Sequence, residues 1–205
     1  MKRDGMLYTV LFTFAICIVF VFFLALANEL TKDRVAANRR LSERSAILAA
    51  LGIAYSAPSQ VDALYTSQVT ELKTDAGIVY KATVDNQNRY AAMVAGPGLW
   101  GTIRAILAVD EPVERIEGFR IVSHNETPGL GGRIDEGWFQ TQFKGEKIGP
   151  GGIVVLQGSG KGDPDPDNSQ VDGVTGASRT SQAIQDIVNR EIRVFKTLRD
   201  QGGLR

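Results

Sequence analysis

Twenty-two consecutive uncharged residues near the N-terminus, Met6 to Ala27, constrain this chain more than any other feature. At about 1.5 Å of rise per residue, a helix of this length covers the roughly 30 Å hydrocarbon layer of a bilayer. A cleaved signal peptide is the alternative, but its apolar core is usually about 7 to 15 residues long. Asn28, Glu29 and Leu30 also form no small-residue cleavage site. The sequence therefore predicts a retained helix across the lipid bilayer over 6–27, after a short tail of residues 1–5.

The charges on either side of this helix predict its orientation in the membrane by the positive-inside rule. Lys2 and Arg3 precede the helix, and five basic residues follow it: Lys32, Arg34, Arg39, Arg40 and Arg44. A positive-inside count places the C-terminal side in the cytoplasm, although the acidic residues interspersed there contribute little to that rule.

The overall charge and the cysteine content exclude several classes of function. Lys and Arg together number 23 and Asp and Glu also number 23, so no basic excess supports binding to nucleic acid. Cys17 is the only cysteine, which excludes a disulfide within the chain, thiolate ligation of an iron–sulfur cluster and a structural zinc site. We expect no metal site, and redox chemistry would have to come from an organic cofactor or from partners.

The rest of the chain predicts an α+β fold, with one extramembrane domain that contains an antiparallel sheet and packed helices. Residues 28–57 are predicted to be a connecting amphipathic helix and residues 58–205 the domain. Strands are predicted at 78–84, 90–94, 102–109, 116–122 and 153–157, and helices at 136–143 and 181–200. Gly and Pro predict a mobile or tightly turned loop at 158–168, and we expect Trp100 and Trp138 in the core.

Small hydroxyl residues and two glycines precede the predicted terminal helix, in the run Asp172-Gly173-Val174-Thr175-Gly176-Ala177-Ser178-Arg179-Thr180-Ser181. Free backbone N–H groups and the positive end of the helix dipole make such a turn suited to phosphate. Ser178, Thr180 and Ser181 are also able to cap the helix, and an N-cap cluster without any ligand is the commoner use of such residues. The residues alone leave both interpretations open.

The pattern Asp-x-x-Thr-Gly-Ala-Ser-x-Thr resembles the flavinylation sequence of the FMN-binding domain family. This family includes the C subunit of the sodium-translocating NADH:quinone reductase and the G subunit of Rnf complexes, and a flavin transferase that uses FAD joins FMN to its acceptor. The resemblance implies covalent FMN, through a phosphoester, at Ser178, where the family usually has Thr. It also implies a transferase-recognised pattern made by the surrounding residues Asp172, Thr175, Gly176, Ala177 and Thr180. Non-covalent FMN remains an alternative, as do the acceptors Thr175, Thr180 and Ser181.

A second run, Glu126-Thr127-Pro128-Gly129-Leu130-Gly131, matches the other signature of this family. Pro and Gly predict a tight turn against which a planar flavin can lie with Leu130. Glu126 and Thr127 would supply polar groups to the edge of the flavin ring, or would satisfy the backbone of the turn. The lone His124 is predicted to support this turn rather than to bind a metal.

The resemblance implies an electron-transfer subunit of a sodium-translocating NADH:quinone reductase in the bacterial inner membrane, with its domain on the periplasmic side and other membrane subunits as partners. The chain has no dinucleotide-binding fingerprint, so NADH oxidation would belong to another subunit, and the sequence shows no catalytic residue of its own. An Rnf G subunit or stand-alone flavinylated carrier is the second hypothesis. A flavin-free anchored domain is the third.

Overall fold

The computed structural model describes residues 5–157 and 160–204 and divides the chain into two units, residues 1–40 and 41–205. The predicted tail residues Lys2 and Arg3 and the loop residue Gly158 lie outside the described residues.

The N-terminal helix α1 spans Met6–Leu51 and joins the two helices that the sequence predicted separately. Residues 28–51 contain neither Gly nor Pro, so nothing in the sequence ends the helix after the apolar stretch. It ends at Gly52, whose φ of +82° allows the N–H of Ile53 to bond the carbonyl of Leu48 at 2.9 Å. Within the described residues, α1 alone is long and apolar enough to cross a membrane.

The second unit is built on a five-stranded antiparallel sheet in which the strands follow the chain order. The strands are β1 (Thr70–Thr74), β2 (Gly77–Val84), β3 (Gln87–Pro97), β4 (Thr102–Asp110) and β5 (Ile116–Ser123). The 3₁₀ turn Pro58–Gln60 and the helix α2 (Val61–Gln68) precede the sheet. The predicted α+β fold with an antiparallel sheet is confirmed.

The elements after β5 carry the chain back across the sheet. They are the 3₁₀ turn Gly131–Asp135, the helix α3 (Gly137–Thr141), the strands β6 (Val154–Leu156) and β7 (Gln170–Asp172), and the helix α4 (Ser178–Asp200). Strands β6 and β7 pair in parallel, which the sequence did not predict. Three residues are too few for a recognisable alternation in β7.

The sheet separates two apolar clusters because side chains alternate along each strand. From β4, Ile103 and Leu107 belong to the cluster that contains α4, whereas Ile106 belongs to the cluster beneath the last turns of α1 and α2. Helix α4 contributes a fully apolar stripe: Ile184, Ile187, Val188, Ile192 and Phe195. The sheet and this stripe hold the N-terminal end of α4 in place.

A buried acid lies in the segment after α3. Glu146 is 1% exposed, and its Oε1 has no hydrogen-bond partner among the described residues. Burial raises the pKa of Glu146 to about 7, and the nearby Asp163 and Asp165 add to the increase. The backbone amides of Ser169 and Gln170 act in the opposite sense by favouring the charged form.

We expect this acid to make the domain less stable as the pH rises from about 4.5 to about 7. Over that range the carboxyl is ionised in the unfolded chain but still protonated in the folded one, so its stabilising contribution is complete below this window and lost across it. The loss is on the order of 3 kcal/mol in the free energy of unfolding. Urea unfolding at several pH values would show this fall for the whole chain in detergent and not for Glu146→Gln. Parallel pH profiles for the two proteins would contradict it.

Candidate functional site

The predicted acceptor segment lies at the start of α4. Strand β7 ends at Asp172, Gly176 turns the chain with a φ of +79°, and the amide of Ala177 bonds the carbonyl of Val174 at 3.0 Å. The sequence predicted Ser178 before the helix, but α4 begins at Ser178 and Ala177 is its N-cap. No side chain caps this end, so of the two interpretations left open by the sequence, the N-cap cluster is the one that the structure does not show. Backbone N–H groups in the first turn of α4, which no side chain caps, therefore lie next to the exposed hydroxyl of Ser178.

The four candidate acceptor hydroxyls lie in different environments. Thr180 is 1% exposed and its hydroxyl donates to Glu126 Oε2, while the Ser181 hydroxyl is buried and accepts from the amide of Val174 at 3.0 Å. Ser178 and Thr175 are exposed. Burial and the internal hydrogen bonds make Thr180 and Ser181 poor nucleophiles toward an external phosphate, which leaves Ser178 and Thr175 accessible.

Two glutamines hold this segment, and no sequence pattern indicated either. The side chain of Gln142 pairs with the backbone of Asp172: its Nε2 donates to the carbonyl at 2.8 Å and its Oε1 accepts from the amide at 2.7 Å. Gln157 donates through Nε2 to the hydroxyl of Ser178. Both contacts join residues 21 or more positions apart, so no local pattern reveals them.

The second predicted segment forms a tight turn before the 3₁₀ turn. The amide of Gly132 bonds the carbonyl of Thr127 at 2.9 Å, and Thr127, Pro128, Gly129 and Leu130 are exposed. Leu130 reaches the acceptor segment, because a β-carbon built on Gly176 would lie 3.6 Å from Leu130 Cδ2. An apolar side chain and the exposed Ser178 are thus parts of one surface.

Glu126 has a different place from the one predicted. It is 4% exposed, with Oε1 accepting from the amide of Trp100 at 3.0 Å and Oε2 accepting from Thr180. The predicted roles, contact with the flavin edge or satisfaction of the turn's own backbone, do not describe these contacts. Glu126 instead links the turn to two other segments.

His124 lies beneath the turn. Its Nδ1 accepts from the amide of Glu126 at 3.0 Å, and its Nε2 is 2.8 Å from Asp135 Oδ2. Because Nδ1 accepts, the ring proton is on Nε2 and is donated to the carboxylate. The described residues contain no group of three or more His, Cys, Asp or Glu able to hold a metal ion.

The tip of the β3–β4 hairpin borders the start of α4. The amide of Gly98 bonds the carbonyl of Gly101 at 2.7 Å, which turns Leu99 and Trp100 outward. Trp100 is 69% exposed, so its predicted place in the core is wrong, and Trp138 is only partly buried against the core. Gly98-Leu99-Trp100-Gly101 forms the turn of the hairpin, and the indole of Trp100 lies exposed at its tip.

A cleft of about 500 Å³ separates this hairpin tip from α4. Pro97 and Leu99 line one wall. Successive turns of the helix line the other, with Arg179, Gln182, Ala183, Asp186, Ile187 and Arg190. The cleft therefore combines apolar walls with charged side chains directly after Ser178.

The sequence profile of the FMN-binding domain family matches residues 98–193 of this chain. Residues 98–193 are therefore similar to the FMN-binding domain family. This range contains the hairpin tip, the turn at 126–131 and the acceptor segment, so the matched region includes all three parts of the surface described above. The resemblance to this family predicted from the two signatures is confirmed.

Relatives with known names resemble the chain over different lengths. The C subunit of the Na(+)-translocating NADH-quinone reductase of Pseudomonas aeruginosa is 25% identical over 92% of both chains. The same subunit of Yersinia pestis is 32% identical over 50% of this chain and 39% of its own length. The match to the Yersinia protein thus spans less than half of that relative. The predicted resemblance to these C subunits is confirmed.

Solved structures share the fold. The C subunit of the Na(+)-translocating NADH-quinone reductase of Parabacteroides distasonis matches with a TM-score of 0.61 and 25% identity, over 80% of this chain and 91% of that chain. NqrC of Shewanella oneidensis matches with a TM-score of 0.68 and 18% identity, over 80% of this chain and 99% of that chain. The second likeness concerns the fold alone.

Proposed function

We propose that this chain is a membrane-anchored electron-transfer subunit of a sodium-translocating NADH:quinone reductase and that it carries FMN as a phosphoester on Ser178. The observation that carries the proposal is an exposed hydroxyl at the uncapped N-terminus of α4, inside an FMN-binding domain. The named relatives are reductase C subunits, which favours this complex over the Rnf alternative.

The residues at the site fit a phosphate ester followed by a planar ring. Backbone N–H groups in the first turn of α4 and the positive end of its dipole favour the charge of a phosphodiester. Arg179, exposed and next along the chain, adds a cation beside it. Leu130 provides apolar surface near Gly176 for the ring.

Attachment requires a flavin transferase that uses FAD. The Ser178 oxygen forms a bond to the FMN phosphorus of FAD, the pyrophosphate P–O bond breaks and AMP leaves, while the hydroxyl proton passes to a base of the transferase. Ser178 supplies a primary hydroxyl that forms the same ester as the usual Thr. Gln157 donates to this oxygen and occupies one of its two lone pairs, which leaves the other for the attack.

FMN, once attached, accepts and donates electrons, and this chain would fix its position and surroundings. The sequence offers no nicotinamide-binding fingerprint, so electrons would arrive from and leave to neighbouring membrane subunits. A single spanning helix is a poor ion path, which assigns sodium movement to those partners. Following the family rather than the charge count, we place the domain on the periplasmic side of the inner membrane.

Co-expression with and without a flavin transferase tests the proposal. With the transferase, a denaturing gel should show a band that fluoresces under ultraviolet light, and the intact mass should increase by FMN less one water. Without it, the band should be dark and the mass unmodified. A dark band with a transferase that labels a control protein would contradict covalent attachment and leave non-covalent FMN or a flavin-free domain.

A further inference from the structure

A buried carboxylate joins three segments that are far apart in the sequence. Glu126, in the turn before the 3₁₀ helix, binds the amide of Trp100 in the β3–β4 hairpin tip and the hydroxyl of Thr180 in the first turn of α4. With 4% exposure, its carboxylate has little water to replace a lost partner. Two hydrogen bonds from different segments converge on this one buried side chain, so it links the two segments directly.

Two glycines enclose the carboxylate. A β-carbon on Gly98 would lie 2.5 Å from Glu126 Oε1, and one on Gly131 would lie 2.8 Å from Oε2 and 2.6 Å from Thr180 Oγ1. Real β-carbons do not approach other atoms this closely, so the backbone itself packs around the acid and the hydroxyl. The surrounding backbone therefore fixes the position of the Glu126 carboxylate.

Thr180 connects the fixed carboxylate of Glu126 to the helix turn that carries Ser178. Residues two apart on a helix point to nearly opposite sides, so the Thr180 side chain points inward to Glu126 while Ser178 faces solvent. Fixing Thr180 consequently fixes the rotation of the first turn that presents Ser178. The same carboxylate holds the hairpin tip that forms the opposite wall of the 500 Å³ cleft.

We propose that Glu126 is a positioning residue for flavin attachment, acting through Thr180 on the turn that carries Ser178 and through the Trp100 amide on the neighbouring cleft wall. This inference rests on the proposed attachment of FMN to Ser178. Without this link, the acceptor hydroxyl and the cleft wall move independently, and the transferase meets a badly oriented nucleophile. The attached flavin would also rotate more freely.

The test compares initial rates of flavin transfer, with transferase and FAD, among variants of the whole chain. Thr180→Val removes the donor and keeps the shape, whereas Thr180→Ser keeps the donor. We expect Thr180→Val to lower kcat/KM by about tenfold to a hundredfold, the scale of a misplaced reacting group. Glu126→Gln should lower it less, because a glutamine oxygen can still accept from the Trp100 amide and its NH2 group can donate to the Thr180 hydroxyl. Thr180→Ser should stay within about threefold of wild type, since its hydroxyl can still reach the acid. The double variant Thr180→Val, Glu126→Gln should have a kcat/KM no lower than that of the more impaired single variant, because the two side chains act as one unit.

Glu146→Gln is the matched control, since Glu146 is an equally buried acid with no contact to α4 or the hairpin tip among its described partners. It should be labelled at the wild-type rate. Fluorescence anisotropy of the attached flavin gives a second readout, which should fall in Thr180→Val and stay unchanged in Glu146→Gln. Wild-type transfer rates and anisotropy in Thr180→Val would overturn the proposal, as would an equal loss in Glu146→Gln, which would indicate a general effect of stability.

The attachment and the positioning role fail in different ways. An unlabelled wild-type chain would remove the attachment itself and the role of Glu126 with it. A labelled wild type with full-rate Thr180→Val would remove only the role of Glu126. If Glu126→Gln does not fold, the Thr180 pair decides alone, because Thr180→Val and Thr180→Ser differ from wild type by single groups and their folding can be compared by thermal unfolding.

Discussion

Ser178→Ala is expected to abolish covalent flavin labelling completely, because the substitution removes the only nucleophilic oxygen of that side chain. Alanine is the best helix former, and Ser178 is an exposed first residue of α4 with no capping role, so the fold should be retained. Ultraviolet fluorescence in a denaturing gel, after co-expression with the transferase, measures the loss. Melting temperature reports whether the variant remains folded.

Two variants at neighbouring hydroxyls serve as controls for Ser178→Ala. Ser178→Thr should be labelled, since it restores the family's usual acceptor. Thr175→Val changes a residue of the transferase-recognised pattern, so its labelling is interpreted only together with that of Ser178→Ala. Labelling that persists in Ser178→Ala but disappears in Thr175→Val would move the ester to Thr175, the other exposed candidate. Peptide mapping of the fluorescent protein would locate the ester in either case.

The sequence was sufficient to predict the helices and strands whose apolar residues form a long run or a regular pattern. Twenty-two uncharged residues predicted the apolar part of α1, and β-rich runs predicted β2 to β5 within a few residues. The elements it missed are short or polar: β1, α2 and β7. Strand β1 reads Thr-Glu-Leu-Lys-Thr and is an edge strand with most side chains exposed, so burial left no alternation to recognise.

For the site, the two signatures predicted which segments meet but not what each residue does there. Local sequence showed Ser178 and Glu126 as polar residues in turns, and only the tertiary structure separates an exposed hydroxyl from a buried, bonded carboxylate. Trp100 shows the same limit in reverse. A large aromatic residue is more often buried, yet the hairpin closure at Gly98 directs it outward.

Three segments of the site depend on one sheet. The hairpin tip extends β3 and β4, the 126–131 turn follows β5, and α4 packs on β3 through Ile187, which contacts Gly96 closely. The sheet, rather than the loop before α4, therefore determines the position of Ser178. Changes on the α1 side of the sheet should affect the stability of the domain more than the chemistry of the site.

Gly118→Ala tests this separation and is expected to destabilise the domain strongly. A β-carbon on Gly118, in β5, would lie 2.8 Å from Cα of Ala50, in the last turns of α1. Ala50 is fully buried between Leu48 and Leu51, which are also fully buried, so the helix cannot retreat without exposing apolar surface. Overpacking against backbone costs about 3 kcal/mol in the free energy of unfolding, near the upper end of its usual range. In a chain of this size that lowers Tm by about 10 °C.

Gly137→Ala is the matched control for Gly118→Ala, since nothing lies within 4 Å of its added β-carbon and its Tm should change little. At a temperature where Gly118→Ala remains folded, its rate of flavin transfer should equal that of wild type, because Ala50 lies in the cluster on the sheet face opposite α4. Thermal unfolding and the transfer assay together measure both effects. An unchanged Tm would show that α1 yields at this contact, and a slowed transfer in folded Gly118→Ala would show that the two faces of the sheet are coupled.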